Sequence, residues 1–547
     1  MIPRRTLLAV SPFLAQPALA QPALAQPALA QPTLAQPTLA QPTLAQNRAR
    51  TLRYVPSSNL TILDPIFTPA ALTIAHGYCV FDTLYGMDAA MRPVPQMAAG
   101  HTVSADGLTW EITLREGLRF HDGEPVRAQD CAESLSRWSK RDSFGQALGA
   151  ATESFGFRDD RTILIKLTRR FNRLLEAIGK AHSSPAFIMP ERLARTSPTT
   201  QVTEMVGSGP LRFVRGEYVS GSRMVYEKFA GYVPRNEPPA WTSGGKVVNF
   251  ERVEWHVLPD PATAAAAIQA GEVDWVGSIL PDLAAAVGAH RRVDLFRADP
   301  FGLVSMLRFN HANPPFDNLA LRQAVMRAVD QTPFLQSITA KPADGQRCRA
   351  MFPCGMPGVA ELGEGVIGSL DVAAACAAVL AAGYRGERVV ILNPTDQPLI
   401  HPHGVLAADL LRRIGMNVDL QELDWGTVVQ RRISRNPVER GGWSIACTNW
   451  PAISVDNPAT NATTRGVGDA GWWGWFNDPA SEALVQRWLD AETPEIAGAV
   501  FVEAQRRALE MVPIIPLGQT FSDSAIRTDI QGALNGSVHM FWNVRRA

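Results

Sequence analysis

Short runs of apolar residues, separated by turn-forming residues, recur along the chain from residue 51 onward. Residues 51–55 (TLRYV), 109–115 (TWEITLR) and 162–167 (TILIKL) are rich in β-branched and aromatic side chains and predict strands. Pro, Ser and Asn follow the first run and lead to Asp64-Pro65, which is typical turn chemistry. The first part of the chain is therefore predicted to contain strands joined by irregular loops.

A helix with clear end signals is predicted in the middle of the chain. Asp260-Pro261 opens an alanine-rich run that stops at Gly271. Asp caps the start of a helix, Pro suits its first position, and Gly is favoured just past its end. A strand-like segment, VDWVG, follows at once.

The second half of the chain alternates between the two kinds of pattern. Residues 388–393 (RVVILN) predict a buried strand, and residues 405–414 predict a helix with one apolar face that ends at Gly415. Residues 416–423 return as a strand and residues 425–433 as a helix. Strands and helices that alternate with short connections predict an α/β fold with a parallel sheet and at least two lobes.

The first 46 residues have a different composition, with no acidic residue among them. Arg4 and Arg5 precede an apolar run over residues 7–15, which is typical of a secretory signal peptide. That run is far shorter than the roughly 20 apolar residues that span a bilayer. From Leu14 the unit Leu-Ala-Gln-Pro-Ala/Thr repeats, and its prolines prevent a continuous helix. We interpret the tract as a duplicated cleavage region that is removed on export to the periplasm; the alternative is a retained Pro-rich spacer.

Composition narrows the possible chemistry. Lys+Arg and Asp+Glu both total 52, so no basic excess favours nucleic acid or anionic lipid. The six cysteines form no CxxC pair, and a lone His401-Pro402-His403 supplies too few ligands for nickel, so no metal and no cofactor is predicted. Cys348 and Cys354 lie six residues apart in a loop-like stretch and form either a disulfide or two free thiols.

Motifs of exported hydrolases are missing from the sequence. The chain has neither Gly-x-Ser-x-Gly nor HExxH. Paired catalytic carboxylates remain an open alternative, because they need to be close only in space. An exported hydrolase is therefore the rival to a binding function, and an envelope peptide-binding chaperone or chemoreceptor partner is a third alternative. No catalytic residue is predicted.

Several short motifs, spread in a fixed order over residues 51–547, resemble those of one family. They are 57–65 (SSNLTILDP), 81–88 (FDTLYGMD), 104–109 (SADGLT), 120–123 (FHDG), 207–210 (GSGP), 270–274 (AGEVD) and 322–324 (RQA). In this order the chain resembles the oligopeptide-, dipeptide- and nickel-binding solute-binding proteins of ABC importers.

The resemblance implies a two-lobed periplasmic-binding-protein fold of type II, which closes at a hinge, with an extra subdomain inserted in the first lobe. Lobe I would comprise residues 47–79, 205–300 and 516–547; the inserted subdomain, 80–204; and lobe II, 301–515. It also implies a monomer that captures a small organic ligand, peptide-like or other, in an interlobe cleft. The protein would deliver this ligand to the transmembrane permease subunits and touch the membrane complex only peripherally.

Candidate ligand contacts come from loops that would line such a cleft. The predicted residues are Phe67, Thr68 and Ala70 from lobe I, and Trp443, Asn449, Trp450, Asp456 and Trp473 from lobe II. Trp450 is the leading candidate to stack on the ligand.

One departure from the family bears on the ligand. Peptide-binding members carry an Arg shortly before this Trp, and an Asp three residues after it that pairs with the peptide amino group. Cys447 and Ile453 stand near those places here, and the nearest acid is Asp456. An ordinary free dipeptide is therefore not expected, since its buried charged end would lack a partner. An aromatic-rich cleft favours an organic ligand, cationic or sugar-like, through stacking.

Overall fold

The structure is a computed structural model that describes residues 49–547. The predicted signal peptide and its repeat lie outside the described residues. None of the described helices is both long and apolar enough to cross a membrane.

Lobe I is built on a mixed seven-stranded sheet. The predicted first strand, Thr51–Val55, lies near its centre and pairs in parallel with Arg252–His256 and Trp275–Val276. From edge to edge the strands are Leu211–Phe213, Arg223–Lys228, Arg252–His256, Thr51–Val55, Trp275–Val276, Ser524–Arg527 and Val293–Phe296. The α-helices of this lobe are Ala71–Val80, Pro261–Ala270 and Pro281–Gly288.

The end signals read at residues 260–271 are confirmed. The Asp260 carboxylate accepts a hydrogen bond of 2.7 Å from the backbone N–H of Thr263, and Pro261 is the first helical residue. Gly271 ends the helix with φ 74°, a left-handed conformation that favours glycine.

The inserted subdomain carries its own antiparallel sheet of four strands, in the order Ala98–Val103, Thr109–Leu114, Thr162–Leu167 and Thr152–Asp159. Its helices are Ala128–Trp138, Ser143–Ala150, Leu174–Gly179 and Glu191–Ala194. Two short ribbons complete it: Asp82–Thr83 with Phe187–Ile188, and Tyr85–Met87 with Pro93–Pro95. The buried ion pair between Arg137 and Asp64, 2.6 Å, joins the subdomain to the loop after the first strand of lobe I.

Lobe II is built on a six-stranded sheet. Its strands are, in order, Gly345–Gln346, Ile514–Thr520, Leu303–Phe309, Ile445–Pro451, Arg388–Pro394 and Asn417–Leu423. Its helices are Leu319–Ala328, Gln331–Gln336, Val372–Ala381, His401–Arg413, Trp425–Arg431, Pro479–Asp490 and Pro494–Met511. The remaining short elements of the chain are the ribbon Ile530–Gln531 with Arg545–Arg546 and the 3-10 turns Arg215–Glu217, Pro342–Asp344, Val438–Arg440, Ala452–Ser454 and Gly468–Ala470.

The strand–helix–strand prediction for lobe II is confirmed, because Arg388–Pro394 and Asn417–Leu423 pair in parallel and His401–Arg413 lies between them in sequence. The strand Ile514–Thr520 belongs to this sheet, so the predicted lobe boundary at residue 515 falls inside a strand. Cys348 and Cys354 are joined in a disulfide, which settles the alternative left open by the sequence.

Candidate ligand-binding site

A cavity of about 290 Å³ lies between the inserted subdomain and lobe II. Much of its wall is apolar. Met87, Met91 and Phe144 contribute from the inserted subdomain, and Trp488 and Phe501 from lobe II. Aromatic and thioether side chains of this kind pack against organic groups, and the volume lies just below the range of about 300–1,000 Å³ usual for ligand pockets.

The polar part of the wall comes from two irregular segments that follow regular elements. On the inserted subdomain, residues 180–183 continue from the helix Leu174–Gly179. On lobe II, residues 453–460 follow the strand Ile445–Pro451 through the turn Ala452–Ser454. Rigid elements thus hold the two loops that face each other, which is the usual construction of a binding site.

Several contacts join the inserted subdomain to lobe II around the cavity, among them the ring contact of Phe144 with Trp488 at 5.9 Å. The Asn172 amide donates a hydrogen bond of 3.0 Å to the Ala491 carbonyl, and Arg169 forms an ion pair with Asp490. The Arg173 guanidinium lies 5.2 Å from the centre of the Trp488 ring. His182 and Ser454 are hydrogen-bonded at 2.6 Å between Nδ1 and Oγ. The inserted subdomain and lobe II are therefore in contact around the cavity, and each contributes part of its wall.

Asp456 is the acidic group of the cavity that has no ion-pair partner within residues 49–547. Its Oδ1 accepts hydrogen bonds from the Asn457 amide (2.7 Å) and the Thr460 hydroxyl (2.9 Å). Burial raises its pKa from 3.8 to about 6, and the Thr460 hydrogen bond and the Lys180 charge offset this only in part. At neutral pH the cavity thus holds a carboxylate that attracts a cation.

The other charged groups on the cavity wall are neutralised within the protein. Arg173 and Glu176 form an ion pair at 2.9 Å. Lys180 forms an ion pair with the buried carboxylate of Asp142 and also donates to the Ser183 carbonyl. Asp456 therefore sets the sign of the charge that the cavity offers to a ligand.

His182 is an uncharged polar group in this wall. The residue is 5% exposed, and burial lowers the pKa of its imidazole to about 3, so the ring is neutral at physiological pH. Nδ1 is bonded to Ser454, whereas Nε2 has no hydrogen-bond partner among the residues that the structure describes.

The chain matches a family profile over most of its length. Residues 92–472 match the description "Bacterial extracellular solute-binding proteins, family 5 Middle". A probable peptide ABC transporter periplasmic-binding protein of Sinorhizobium fredii is 35% identical over 493 residues, which are 89% of this chain and 92% of that protein. The chain belongs to the family 5 solute-binding proteins. It is the solute-binding component of an ABC importer.

Solved structures support the same fold for this family 5 protein. A dipeptide-binding protein from Pseudoalteromonas sp. SM9913, in complex with Met-Leu, superposes with a TM-score of 0.73 at 20% identity, covering 91% of this chain and 100% of that one. A periplasmic binding protein from A. tumefaciens R10, in complex with agropinic acid, gives a TM-score of 0.72 at 19% identity, covering 91% and 99%. The two-lobed α/β fold is thus confirmed.

The residues predicted as ligand contacts in lobe II lie at different depths. Asp456 lines the cavity, as described above. Trp443 is 0% exposed and packs against the buried ring of Trp473, with centroids 5.5 Å apart, in the core of lobe II. Trp450 and Asn449 are half-buried outside the cavity wall, and Trp450 makes an edge contact with Trp472 at 5.4 Å.

The residues predicted in lobe I also lie outside this cavity. Arg141 of the inserted subdomain donates a hydrogen bond of 2.8 Å to the Phe67 carbonyl. Its guanidinium lies 5.3 Å from the centre of the Phe67 ring. Thr68 accepts from the backbone N–H of Ala70 at 3.3 Å, within the loop that precedes the helix Ala71–Val80. The role of these residues as ligand contacts stays a prediction.

Sequence reasoning missed the contribution of the inserted subdomain. Arg173, Lys180 and His182 line the cavity together with Trp488 and Phe501. The segment around His182 has neither helical nor strand periodicity, and its partner Ser454 is 272 residues away. A sequence pattern reports local structure, so nothing in it signalled this pairing.

Proposed function

We propose that this solute-binding protein captures a small organic ligand carrying an ammonium group, with Asp456 as its counter-ion. The observation that carries the proposal is the Asp456 carboxylate, which lines the cavity and has no ion-pair partner in the described chain. Asp456 is only partly exposed, a carboxylate in such a place is costly without a partner, and a ligand cation would supply that partner.

The rest of the cavity selects the body of the ligand. Phe144, Trp488 and Phe501 offer apolar ring surface, so a ligand with an aromatic or aliphatic group would bury that group here. The α-ammonium of a short peptide meets the charge requirement, because Asp456 in the cavity wall would supply the partner that Ile453 cannot. A simple amine meets it as well. The Sinorhizobium relative is named as a probable peptide transporter component, and the dipeptide-binding structure holds Met-Leu. Both names support an amino-terminal ammonium as the recognised group.

The family also supports a proposal for where and how the protein acts. We propose that the protein is exported to the periplasm through its N-terminal signal peptide and acts as a monomer without catalytic activity of its own. Closure around the ligand would create the surface that the permease subunits recognise. The family membership and the signal-like composition of residues 1–46 support this proposal.

A titration of the purified protein with small amines tests the proposal. We expect 2-phenylethylamine and short peptides to bind saturably in isothermal titration calorimetry at pH 7.5, and N-acetylated peptides to bind much more weakly. Asp456→Asn keeps the shape of the side chain and removes its charge, so it should lower the affinity for amines by tenfold or more, which is at least about 1.4 kcal/mol. Asp409→Asn, at an exposed acid of lobe II, is the matched control. Equal amine affinity in wild type and Asp456→Asn would refute the proposal.

A further inference from the structure

Two short segments of the chain connect lobe I to lobe II. The first, residues 297–302, leaves the lobe I sheet after the strand Val293–Phe296. The second, residues 521–523, returns to that sheet at the strand Ser524–Arg527. Segments of this kind absorb the backbone change when two lobes turn about a hinge. Side-chain contacts beside them therefore bear on the angle between the lobes.

Two residues of opposite charge at these segments are attached to lobe I. Arg297 directly follows the strand Val293–Phe296. Asp523 directly precedes the strand Ser524–Arg527, and its backbone carbonyl accepts a hydrogen bond of 2.9 Å from the backbone N–H of Ile279. Lobe I thus places one cation and one anion at the hinge.

Two further residues of opposite charge belong to lobe II. Lys341 precedes the 3-10 turn Pro342–Asp344, and Asp344 is the last residue of that turn, beside the edge strand Gly345–Gln346. The side chains of Asp344 and Asp523 are only 8% and 14% exposed. Carboxylates that have lost most of their water need a cation close by.

The four charges pair across the boundary between the lobes. Arg297 Nη2 donates a hydrogen bond of 2.9 Å to Asp344 Oδ1, and Lys341 Nζ donates one of 3.3 Å to Asp523 Oδ2. The distances within each lobe are longer, 3.9 Å from Arg297 Nε to Asp523 Oδ1 and 3.6 Å from Lys341 Nζ to Asp344 Oδ1. These four side chains are called the interlobe joint below.

We propose that the interlobe joint exchanges ion-pair partners when the lobes turn, and thereby controls how readily the cleft closes. In the arrangement seen here, each cation bonds the acid of the other lobe. When the lobes separate, each cation keeps the acid of its own lobe. Arg297 Nε is suited to this exchange, because it has no hydrogen-bond partner in residues 49–547 and already lies 3.9 Å from Asp523.

Partner exchange lowers the electrostatic penalty of separation. An ion pair that is simply broken leaves a partly buried carboxylate without a cation, which is strongly unfavourable. Here Lys341 stays with Asp344, and Arg297 stays with Asp523, so neither acid loses every partner. The closed arrangement keeps the advantage of the shorter distances across the boundary. That advantage depends on the signs of the four charges and weakens with salt.

An exchange of the two charges of lobe I tests the joint without any ligand, and so independently of the proposed function. Arg297→Asp combined with Asp523→Arg keeps opposite charges within lobe I and sets like charges against lobe II. Small-angle X-ray scattering of the unliganded mature protein in low salt should show the ratio of separated to closed molecules raised by about tenfold or more, because like charges then repel across the boundary. In about 1 M salt, where the screening length is about 3 Å, the ratio should fall back towards that of wild type.

A matching exchange in lobe II should reverse the effect. Lys341→Asp with Asp344→Lys, added to the first exchange, restores opposite charges across the boundary. The four-residue variant should therefore be as compact as wild type in low salt. Arg388→Asp with Asp419→Arg is the matched control, because that ion pair lies within the lobe II sheet. The control should leave the scattering unchanged.

Thermal melts confirm that each variant is folded. If an exchange variant does not fold, Lys341→Glu takes its place, because this side chain is the most exposed of the four at 52%. Its new charge repels Asp523, so the ratio of separated to closed molecules should still rise in low salt. Scattering equal to that of wild type from the folded lobe I exchange, or from Lys341→Glu in its place, overturns the proposal. A folded four-residue variant that stays separated overturns it as well.

Discussion

The ionised carboxylate of Asp456 should lower the free energy of unfolding at neutral pH. Removal of its charge should raise that free energy again. Burial raises its pKa from 3.8 to about 6. Since each pH unit between the two pKa values is worth about 1.36 kcal/mol, the ionised carboxylate destabilises the folded state by about 3 kcal/mol. Because the pKa is raised in the folded state, this penalty is absent below about pH 3.8, grows as the pH rises, and is complete above about pH 6.

Asp456→Asn removes the charge and keeps one oxygen to accept from Asn457 and Thr460. The variant should therefore be more stable than wild type at pH 7.5, by up to roughly 3 kcal/mol, and similar to it at pH 4. The nearby Lys180 and His182 do not mask the effect, since Lys180 is paired with Asp142 and the His182 ring is neutral above about pH 3.

Urea unfolding followed by tryptophan fluorescence measures this difference, and the chain carries 13 tryptophans. The comparison needs both variants at both pH values, together with the exposed control Asp409→Asn, which should change stability by less than about 0.5 kcal/mol. A destabilised Asp456→Asn at pH 7.5, or a gain of equal size at both pH values, would refute the reasoning.

Three further predictions follow from the same contacts. With a pKa of about 6, the ionised fraction of Asp456 falls from about nine-tenths at pH 7 to about one-tenth at pH 5, so the calorimetric affinity for 2-phenylethylamine should fall about tenfold over that interval. Trp488→Ala removes cavity wall and should weaken 2-phenylethylamine binding more than Trp450→Ala does; the reverse order in the same titration would favour Trp450 as the stacking residue. Replacing Cys348 and Cys354 together by Ala opens a short buried loop and should cost roughly 2–3 kcal/mol in urea unfolding, whereas no loss would show that the disulfide does not stabilise the lobe.

Much of the fold was predictable because its signals are local. The helix between Asp260 and Gly271 is flanked in sequence by its capping residues, and both of them cap it in the structure. Arg388–Pro394 and Asn417–Leu423 could be identified as strands from apolar runs of the right length, with a helical pattern between them. Each of these inferences needs only residues within one or two turns of each other.

The wall of the candidate cavity was predictable only on the lobe II side, and only at Asp456. The loop of lobe II that carries Asp456 could be placed in the cleft because its surroundings resemble the family. The aromatic residues of the same loop could not be sorted into cleft and core. Trp443 and Trp473 fill the lobe, while Trp488, which is not in that loop, lines the cavity. Amino-acid composition does not distinguish a tryptophan that fills a core from one that faces a cleft.

The partly buried charge of Asp456 also gives a physical reason for ligand-dependent closure. Asp456 loses part of its water in the structure because the inserted subdomain, with Lys180 and His182, covers it from the opposite side. Separation of the two bodies would break the bond between His182 and Ser454 and let water return to the carboxylate. If rehydration returned the pKa from about 6 to its ordinary value of 3.8, the ionised carboxylate would favour the separated state by about 150-fold. A ligand cation removes this penalty, so we expect unliganded Asp456→Asn to be more compact than unliganded wild type in small-angle X-ray scattering at pH 7.5. Equal radii of gyration would show that the charge does not control closure.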